Sequence, residues 1–74
     1  MEVQDFRSLA VGDIVEATGD KYGLVFGERY TVRDTRRTTT HVELFLDGKV
    51  ILLGDDANWF SEKDASALKI VKDE

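Results

Sequence analysis

The chain of 74 residues contains no cysteine and no proline, and only one histidine, one tryptophan and one methionine. Without cysteine, neither a disulfide nor a zinc site with thiolate ligands can stabilise the fold. A single imidazole, at His41, also argues against a histidine-rich metal site. Without proline, the turns must depend on glycine, aspartate and asparagine. We therefore expect no metal and no cofactor, in a chain that needs no oxidising compartment.

Long apolar runs are also missing from the sequence. No stretch approaches the roughly 20 apolar residues that span a bilayer. Residues 1–7 are polar and acidic, unlike the apolar centre of a signal peptide. We therefore expect a soluble cytoplasmic protein without a membrane partner. The length corresponds to one domain, with 1–8 as a flexible lead-in anchored by Phe6 and 9–74 as the folded unit.

The charged residues are unbalanced, because 10 lysines and arginines stand against 15 aspartates and glutamates, giving a formal net charge of −5. An acidic balance weighs against nucleic-acid binding, which usually requires a basic face. Four arginines nevertheless lie within one short segment: Arg29, Arg33, Arg36 and Arg37. Segregated charge of this kind keeps a nucleic-acid partner open as an alternative.

Short runs of β-forming residues predict the first strands, at 13–18 and 28–34. Alternation along these strands places four side chains in the core: Val15, Ala17, Tyr30 and Val32. The long connection between them, 19–27, is rich in apolar residues. We expect it to fold back over an edge of the core.

A hairpin at Asp47-Gly48 is the centre of the predicted fold. This dipeptide suits a two-residue type I′ turn, which needs positive φ at both central residues. The turn would set a register in which Glu43 lies opposite Leu52. One face of the hairpin then supplies five core residues: Val42, Leu44, Leu46, Ile51 and Leu53.

Ser61 and Asp64 have the spacing of a helix N-cap and its third helical residue, which predicts one helical turn. A last strand follows at 68–71, with Leu68 and Ile70 inward. No pattern of 10–15 helical residues alternates with the strands, as a parallel sheet would require. The predicted fold class is therefore all-β: a small five-stranded barrel with one short 3₁₀ turn before the last strand.

Three segments carry a resemblance to a fold family: Leu9–Asp13, Gly23–Val32, and Trp59-Phe60 ahead of the final strand. Together with the order of strands and loops, they resemble the SH3-like barrel, and small SH3-like proteins of bacteria and their phages in particular. The resemblance covers most of the chain and implies an SH3-like fold. It implies little about function, because such barrels serve many roles. The aromatic positions that bind proline-rich peptides in SH3 domains are not matched here, so that activity is not implied.

Catalytic chemistry has few candidate residues. His41 is the only imidazole, and the serines that might pair with it, Ser8, Ser61 and Ser66, are distant in sequence. We interpret His41 as a solvent-facing strand residue and expect no enzyme activity. The acidic residues Asp47, Asp55 and Asp56 lack the spacing of a calcium-binding loop. We interpret them as solvated turn residues.

The arginine segment has two interpretations. In the first, Arg29, Arg33, Arg36 and Arg37 form a patch for an anion, with Tyr22 nearby, because the guanidinium gives phosphate a bidentate contact. In the second, the arginines lie on a solvated face and pair with neighbouring acids: Glu28, Asp34 and Glu43. The acidic total favours the second interpretation.

The second face of the predicted hairpin carries three apolar residues: Phe45, Val50 and Leu52. A half-buried strand should be polar there. Either the N-terminal segment covers these residues, or they form an exposed patch for a partner or for a homodimer. Trp59 also has two interpretations, as a core residue or as an exposed contact for a partner.

From these features we predict a small non-enzymatic protein-interaction module. The resemblance implies that it is phage-encoded or that it modulates a host protein. Its partner would dock on the Phe45 patch and be steered by the arginines. One alternative is a nucleic-acid-binding barrel that uses the same arginines. Another is an acidic inhibitor that occupies a basic surface through its carboxylates: Asp47, Asp55, Asp56, Glu62 and Asp64.

Overall fold

The structure, a computed structural model, describes residues 1–20, 23–51 and 57–71. In chain order, the elements are α1 (Val3–Arg7), β1 (Ile14–Ala17), β2 (Arg29–Arg37), β3 (Val42–Asp47), β4 (Trp59–Ser61), a 3₁₀ helix (Glu62–Ala67) and β5 (Leu68–Val71). No helix in these described ranges is long and apolar enough to cross a membrane.

Five antiparallel strands form one strongly curled, half-barrel sheet with the order β4-β3-β2-β1-β5. The two edge strands, β4 and β5, are joined by the 3₁₀ helix, which contacts both of them and α1. Both edges are short, which limits the unpaired backbone that they offer to other chains. The prediction of a mainly β fold with five strands and a 3₁₀ turn before the last strand is confirmed.

The core lies on the concave side of this sheet. Val15 and Tyr30 are register partners, as are Val32 and Leu46, so alternation brings their side chains to one face. Helix α1 and the loop before β2 add further apolar side chains. The buried apolar residues of this core are Phe6, Leu9, Val15, Ala17, Leu24, Tyr30, Val32, Val42, Leu44, Leu46, Phe60, Ala65, Ala67 and Leu68.

The predicted hairpin at Asp47-Gly48 is wrong. Strand β3 pairs with β2 on one side and with β4 on the other, so Glu43 lies opposite Arg36 and Ser61. Gly48 does not have the positive φ of a type I′ turn. The chain after β3 instead turns towards the first loop, where Val50 makes an isolated bridge with Leu24.

Gly48 is required by a close approach and not by a turn. A Cβ atom at this position would lie 2.5 Å from Cδ2 of Tyr30. The Tyr30 hydroxyl accepts a hydrogen bond from the Val25 N–H at 3.0 Å and donates one to the carbonyl oxygen of Lys49. Tyr30 therefore joins β2 to the first loop and to the segment after β3.

Two predicted core residues lie elsewhere. Ile51 is 63% exposed, because the segment after β3 does not pair with β3. Ile70 is 38% exposed in the edge strand β5. Leu53, the remaining predicted core residue of the hairpin, lies outside the described residues.

The segment 1–8, predicted as a lead-in, contains helix α1 and contributes to the core. Phe6, its expected anchor, is completely buried. The guanidinium of Arg37 donates hydrogen bonds to the carbonyl oxygens of Arg7 and Leu9. This contact fastens the end of α1 and the following turn to strand β2.

The 3₁₀ helix begins as predicted, with a capping box at Ser61 and Asp64. The Asp64 carboxylate accepts the Ser61 backbone N–H at 2.8 Å. Phe60, the residue before this N-cap, is buried. Trp59, Phe60 and Ser61 themselves form strand β4, which the sequence analysis did not predict.

Candidate functional site

The convex side of the sheet brings together three of the predicted site residues: Arg36 of β2, Phe45 of β3 and Trp59 of β4. The Phe45 and Trp59 rings meet edge to face, with centroids 5.4 Å apart and planes at 82°. The Arg36 guanidinium carbon lies 3.9 Å from the centre of the Trp59 ring, a cation–π contact. We call these three residues the aromatic surface.

The register explains why the two rings point outward. Phe45 is the register partner of Trp59, and the next pair, Leu44 and Phe60, is buried in the core. Because successive strand residues alternate between faces, Phe45 and Trp59 occupy the convex side. Both are partly exposed.

A β-bulge brings Arg36 to the same side. The pairing of β2 with β3 shifts between Val32 and Asp34, so Arg33 is the extra residue in the bulge. Before the bulge, even-numbered residues of β2 point into the core. After it, the even-numbered residues Asp34 and Arg36 point outward, opposite Phe45 and Glu43.

Exposed charges of both signs surround the aromatic surface. Arg36 Nη2 lies 3.2 Å from Glu43 Oε1, and Arg33 Nε lies 2.8 Å from Asp47 Oδ2. The side chains of both pairs keep between 41% and 63% of their accessible surface. Asp34 lies beside Phe45 and accepts the Thr35 N–H. We call Arg33, Asp34, Glu43 and Asp47 the charged rim.

The four predicted arginines do not form one basic patch. Arg29 lies near the other end of the sheet, 3.5 Å from Glu16, which also binds Lys69 at 3.3 Å. Arg37 is used inside the fold, at the end of α1. Of the four, Arg33 and Arg36 lie on the side of Phe45 and Trp59, and each is paired with a carboxylate.

The predicted apolar patch of Phe45, Val50 and Leu52 is not formed through a hairpin. Phe45 contacts Trp59 on the convex side, whereas Val50 packs partly against the core beside Leu24. Leu52 and the other predicted site residue, Tyr22, lie outside the described residues.

His41 is exposed, as the sequence analysis predicted, but it lines an open groove beside the aromatic surface. Glu62 in this groove accepts the Val42 backbone N–H at 3.0 Å and lies 4.0 Å from Arg7. Ser61 belongs to the capping box of the 3₁₀ helix. The hydrogen bonds of Ser61 and Glu62 therefore hold the backbone in place. The groove is lined by Thr40, His41, Val42, Glu43, Ser61, Glu62 and Lys63.

Asp64 is the one buried carboxylate among the described residues. Its Oδ2 accepts the Ser61 N–H, whereas its Oδ1 has no hydrogen-bond partner in the described part of the chain. Burial raises the pKa of the Asp64 carboxyl above its ordinary 3.8, opposed by the Ser61 hydrogen bond and the nearby Lys63 charge. This environment makes the charged carboxylate costly.

The carboxylates proposed for an acidic inhibitor are separated in the fold. Asp64 is buried, and Asp47 is paired with Arg33 in the charged rim. Glu62 is engaged at the start of β3. The other two, Asp55 and Asp56, lie outside the described residues.

Comparison of the chain with models of known protein families gave no match. Searches of curated proteins and of solved structures gave no match either. The arrangement of this chain's own residues is therefore the basis for a function.

All three residues of the aromatic surface were candidate site residues in the sequence, but their contact was not predicted. Strand β4 was not predicted either, although Trp59 and Phe60 are both strong β-formers. The bulge at Arg33 has no signal in the sequence, because β2 contains no glycine or proline. The cation–π contact depends on both features.

Proposed function

We propose that the chain is a small non-enzymatic protein-interaction module with an SH3-like barrel fold, and that the aromatic surface is its docking site. The observation that carries the proposal is the grouping of Arg36, Phe45 and Trp59 on the convex side of the sheet. Tryptophan, aromatic residues and arginine are the residue types that contribute most to binding energy at protein interfaces.

The SH3-like assignment is supported by the order of elements. Five short antiparallel strands curl around one core, and a 3₁₀ helix precedes the last strand. This order agrees with the resemblance of Leu9–Asp13, Gly23–Val32 and Trp59-Phe60 to that fold family. Strand β3 also pairs antiparallel with β4, the next strand along the chain, although residues 48–58 connect them in place of a two-residue turn.

The exposed apolar area of Phe45 and Trp59 supports docking at this surface rather than elsewhere on the sheet. Phe45 and Trp59 are large, partly exposed and in contact, so a partner could remove a continuous apolar area from water. Their mutual contact holds both rings in place before binding, which reduces the entropy lost on association. The far half of the convex side instead carries the ion pairs of Glu16 with Arg29 and Lys69.

The role of the arginines is narrower than the sequence predicted. Arg36 contributes directly, because its guanidinium is half-exposed and stacked on Trp59. Arg33 contributes at the rim, where charges set specificity and association rate. Arg37 has a structural role, and Arg29 is outside the docking site.

Affinity capture with matched variants tests this proposal. Tagged wild-type chain, Trp59→Ala and Arg36→Glu would be compared by quantitative mass spectrometry in an extract of the source cells. We expect both variants to lose the same captured proteins. Lys69→Glu, with the same charge change at the far end of the sheet, should retain them. Identical captured proteins for all four chains, with circular dichroism showing intact folds, would contradict the proposal.

Nucleic-acid binding is the second candidate, favoured by the contact of Arg36 with Trp59 beside Phe45. Bases stack on exposed aromatic rings and on guanidinium groups. The pairing of Arg33 and Arg36 with Asp47 and Glu43 reduces the positive charge available to phosphates. A single-stranded oligothymidylate would test this candidate. Stacking should quench Trp59 fluorescence at low salt, and the affinity should fall steeply as salt is added.

A further inference from the structure

We infer that the aromatic surface binds a second copy of this chain across a two-fold axis. The inference rests on the proposed function, because it names the partner of the same docking site. Its basis is the mixed charge of the rim together with Arg36, which neither a wholly acidic nor a wholly basic partner would match.

The charged rim and Arg36 together place both signs of charge around the two rings. Arg33 and Arg36 are positive, and Asp34, Glu43 and Asp47 are negative. An acidic partner would therefore bring its carboxylates against three carboxylates of the rim. A basic partner would bring its charges against two guanidinium groups. Like charges held together at an interface weaken it.

A two-fold axis resolves this conflict because it places the same patch on both sides of the interface. Each arginine of one copy can then approach carboxylates of the other, while the aromatic rings meet in the centre. The pairs Arg36–Glu43 and Arg33–Asp47 are about half-exposed within one chain. They can therefore exchange partners between copies without exposing a buried charge.

The sheet edges offer less for self-association. Strand β4 has three residues and β5 has four, so edge-to-edge pairing would form few hydrogen bonds. The 3₁₀ helix also contacts both edge strands. The convex surface, with its aromatic centre and mixed rim, is the better interface for a second copy.

The net charge sets the conditions for a measurement. Two copies that each carry −5 repel one another at long range. At physiological salt, such repulsion is screened beyond about 8 Å, whereas contacts in the interface are screened less. Self-association should therefore be measured near physiological salt and at increasing protein concentration.

Sedimentation equilibrium across the micromolar to millimolar range is the central experiment. We expect the wild-type mass to rise from that of one chain, 8.4 kDa, towards twice that value. Trp59 is the only tryptophan, so its emission should shift to longer wavelength on dilution as the interface opens. Arg36→Glu and Glu43→Arg should each weaken association about tenfold, because each places like charges across the axis.

Mixing the two charge variants tests the two-fold arrangement. In a mixed dimer, Arg36→Glu on one copy meets Glu43→Arg on the other, so opposite charges face each other again. We expect the equimolar mixture to associate about as strongly as the wild type. Lys69→Glu, the charge-matched control, should leave association unchanged.

Two results would overturn this inference. The first is a single-chain mass at every concentration for the wild type. The second is association that Arg36→Glu does not weaken or that mixing does not restore. If the wild type stays monomeric while Trp59→Ala still abolishes capture of another protein, the docking site stands and only the second copy is excluded. If neither self-association nor capture depends on Trp59, both proposals fail.

Discussion

Tyr30 is the residue on which separate parts of this chain converge. Its ring is completely buried, and its hydroxyl joins the backbone of Val25 to that of Lys49. The ring also comes close to the backbone at Gly48. A side chain at position 48 therefore cannot be added without moving a buried ring or the backbone beside it.

Gly48→Ala should destabilise the fold by about 1–3 kcal/mol, because the added methyl group overpacks the Tyr30 site. Urea unfolding followed by Trp59 fluorescence would measure the change. Gly19→Ala is the matched control, since a Cβ atom at Gly19 meets nothing within 4 Å. A loss for Gly48→Ala no greater than that for Gly19→Ala would show that Tyr30 is not packed as described.

Asp64→Asn should raise the melting temperature at neutral pH. Burial raises the pKa of Asp64 in the folded state above its value in the unfolded chain. The wild type therefore loses folding free energy as the pH rises through the folded-state pKa, because the carboxyl must then carry a charge in a buried position. The amide stays neutral at every pH and can still accept the Ser61 N–H. The advantage of the variant should therefore disappear as pH falls towards the ordinary pKa of 3.8.

Melting curves from pH 4 to pH 8 would measure this difference, with Asp34→Asn as the control. Asp34 also accepts a backbone N–H, from Thr35, but its side chain is exposed. A melting temperature for Asp64→Asn that is lower than the wild type at neutral pH would contradict the assigned cost of the buried charge.

At the scale of elements, helix α1 has only five residues, and a helix this short is not stable in isolation. Packing holds it in place through Phe6 and through the Arg37 hydrogen bonds to Arg7 and Leu9. The sequence identified Phe6 as an anchor but not the helix around it. Segment 3–7 shows too few turns for helical periodicity to be visible.

Arg37→Gln should lower stability by about 1–3 kcal/mol, since two backbone carbonyls lose a charged donor. Amide hydrogen exchange in α1 should be faster in Arg37→Gln than in the wild type, and exchange in β3 should change less. Arg33→Gln is the control, because its exposed ion pair with Asp47 contributes about 0–1 kcal/mol. Equal exchange rates in α1 for the wild type and Arg37→Gln would contradict the fastening role.

At the scale of the whole molecule, the observed topology and the predicted hairpin differ in the strand that pairs with β3. The structure places Glu43 opposite Ser61, and the hairpin would place it opposite Leu52. Because the chain has no cysteine, two introduced thiols can pair only with each other within one molecule.

The double variant Glu43→Cys with Ser61→Cys should form an intramolecular disulfide under mild oxidation, since cross-strand partners lie within bridging distance. Non-reducing electrophoresis and mass spectrometry at low protein concentration would detect it. Glu43→Cys with Leu52→Cys is the comparison, which should form the bridge far more slowly. The reverse order of rates would support the hairpin instead.

The sequence by itself determined which residues of β1, β2 and β3 point into the core. Local alternation is sufficient for this, because neighbouring side chains of a strand leave on opposite faces. Val15, Tyr30, Val32 and Leu44 were all predicted correctly for this reason. The N-cap of the 3₁₀ helix was predicted equally well, since its hydrogen bonds join residues only three positions apart.

Only the tertiary structure decided which strand lies beside β3. Alternation specifies the face of a strand but not its neighbour, and the Asp47-Gly48 dipeptide indicated a partner immediately along the chain. The glycine is explained instead by Tyr30, 18 positions earlier in the sequence. Strand β4 took the place beside β3, and the bulge at Arg33 turned Arg36 outward. The aromatic surface exists because of these two long-range features.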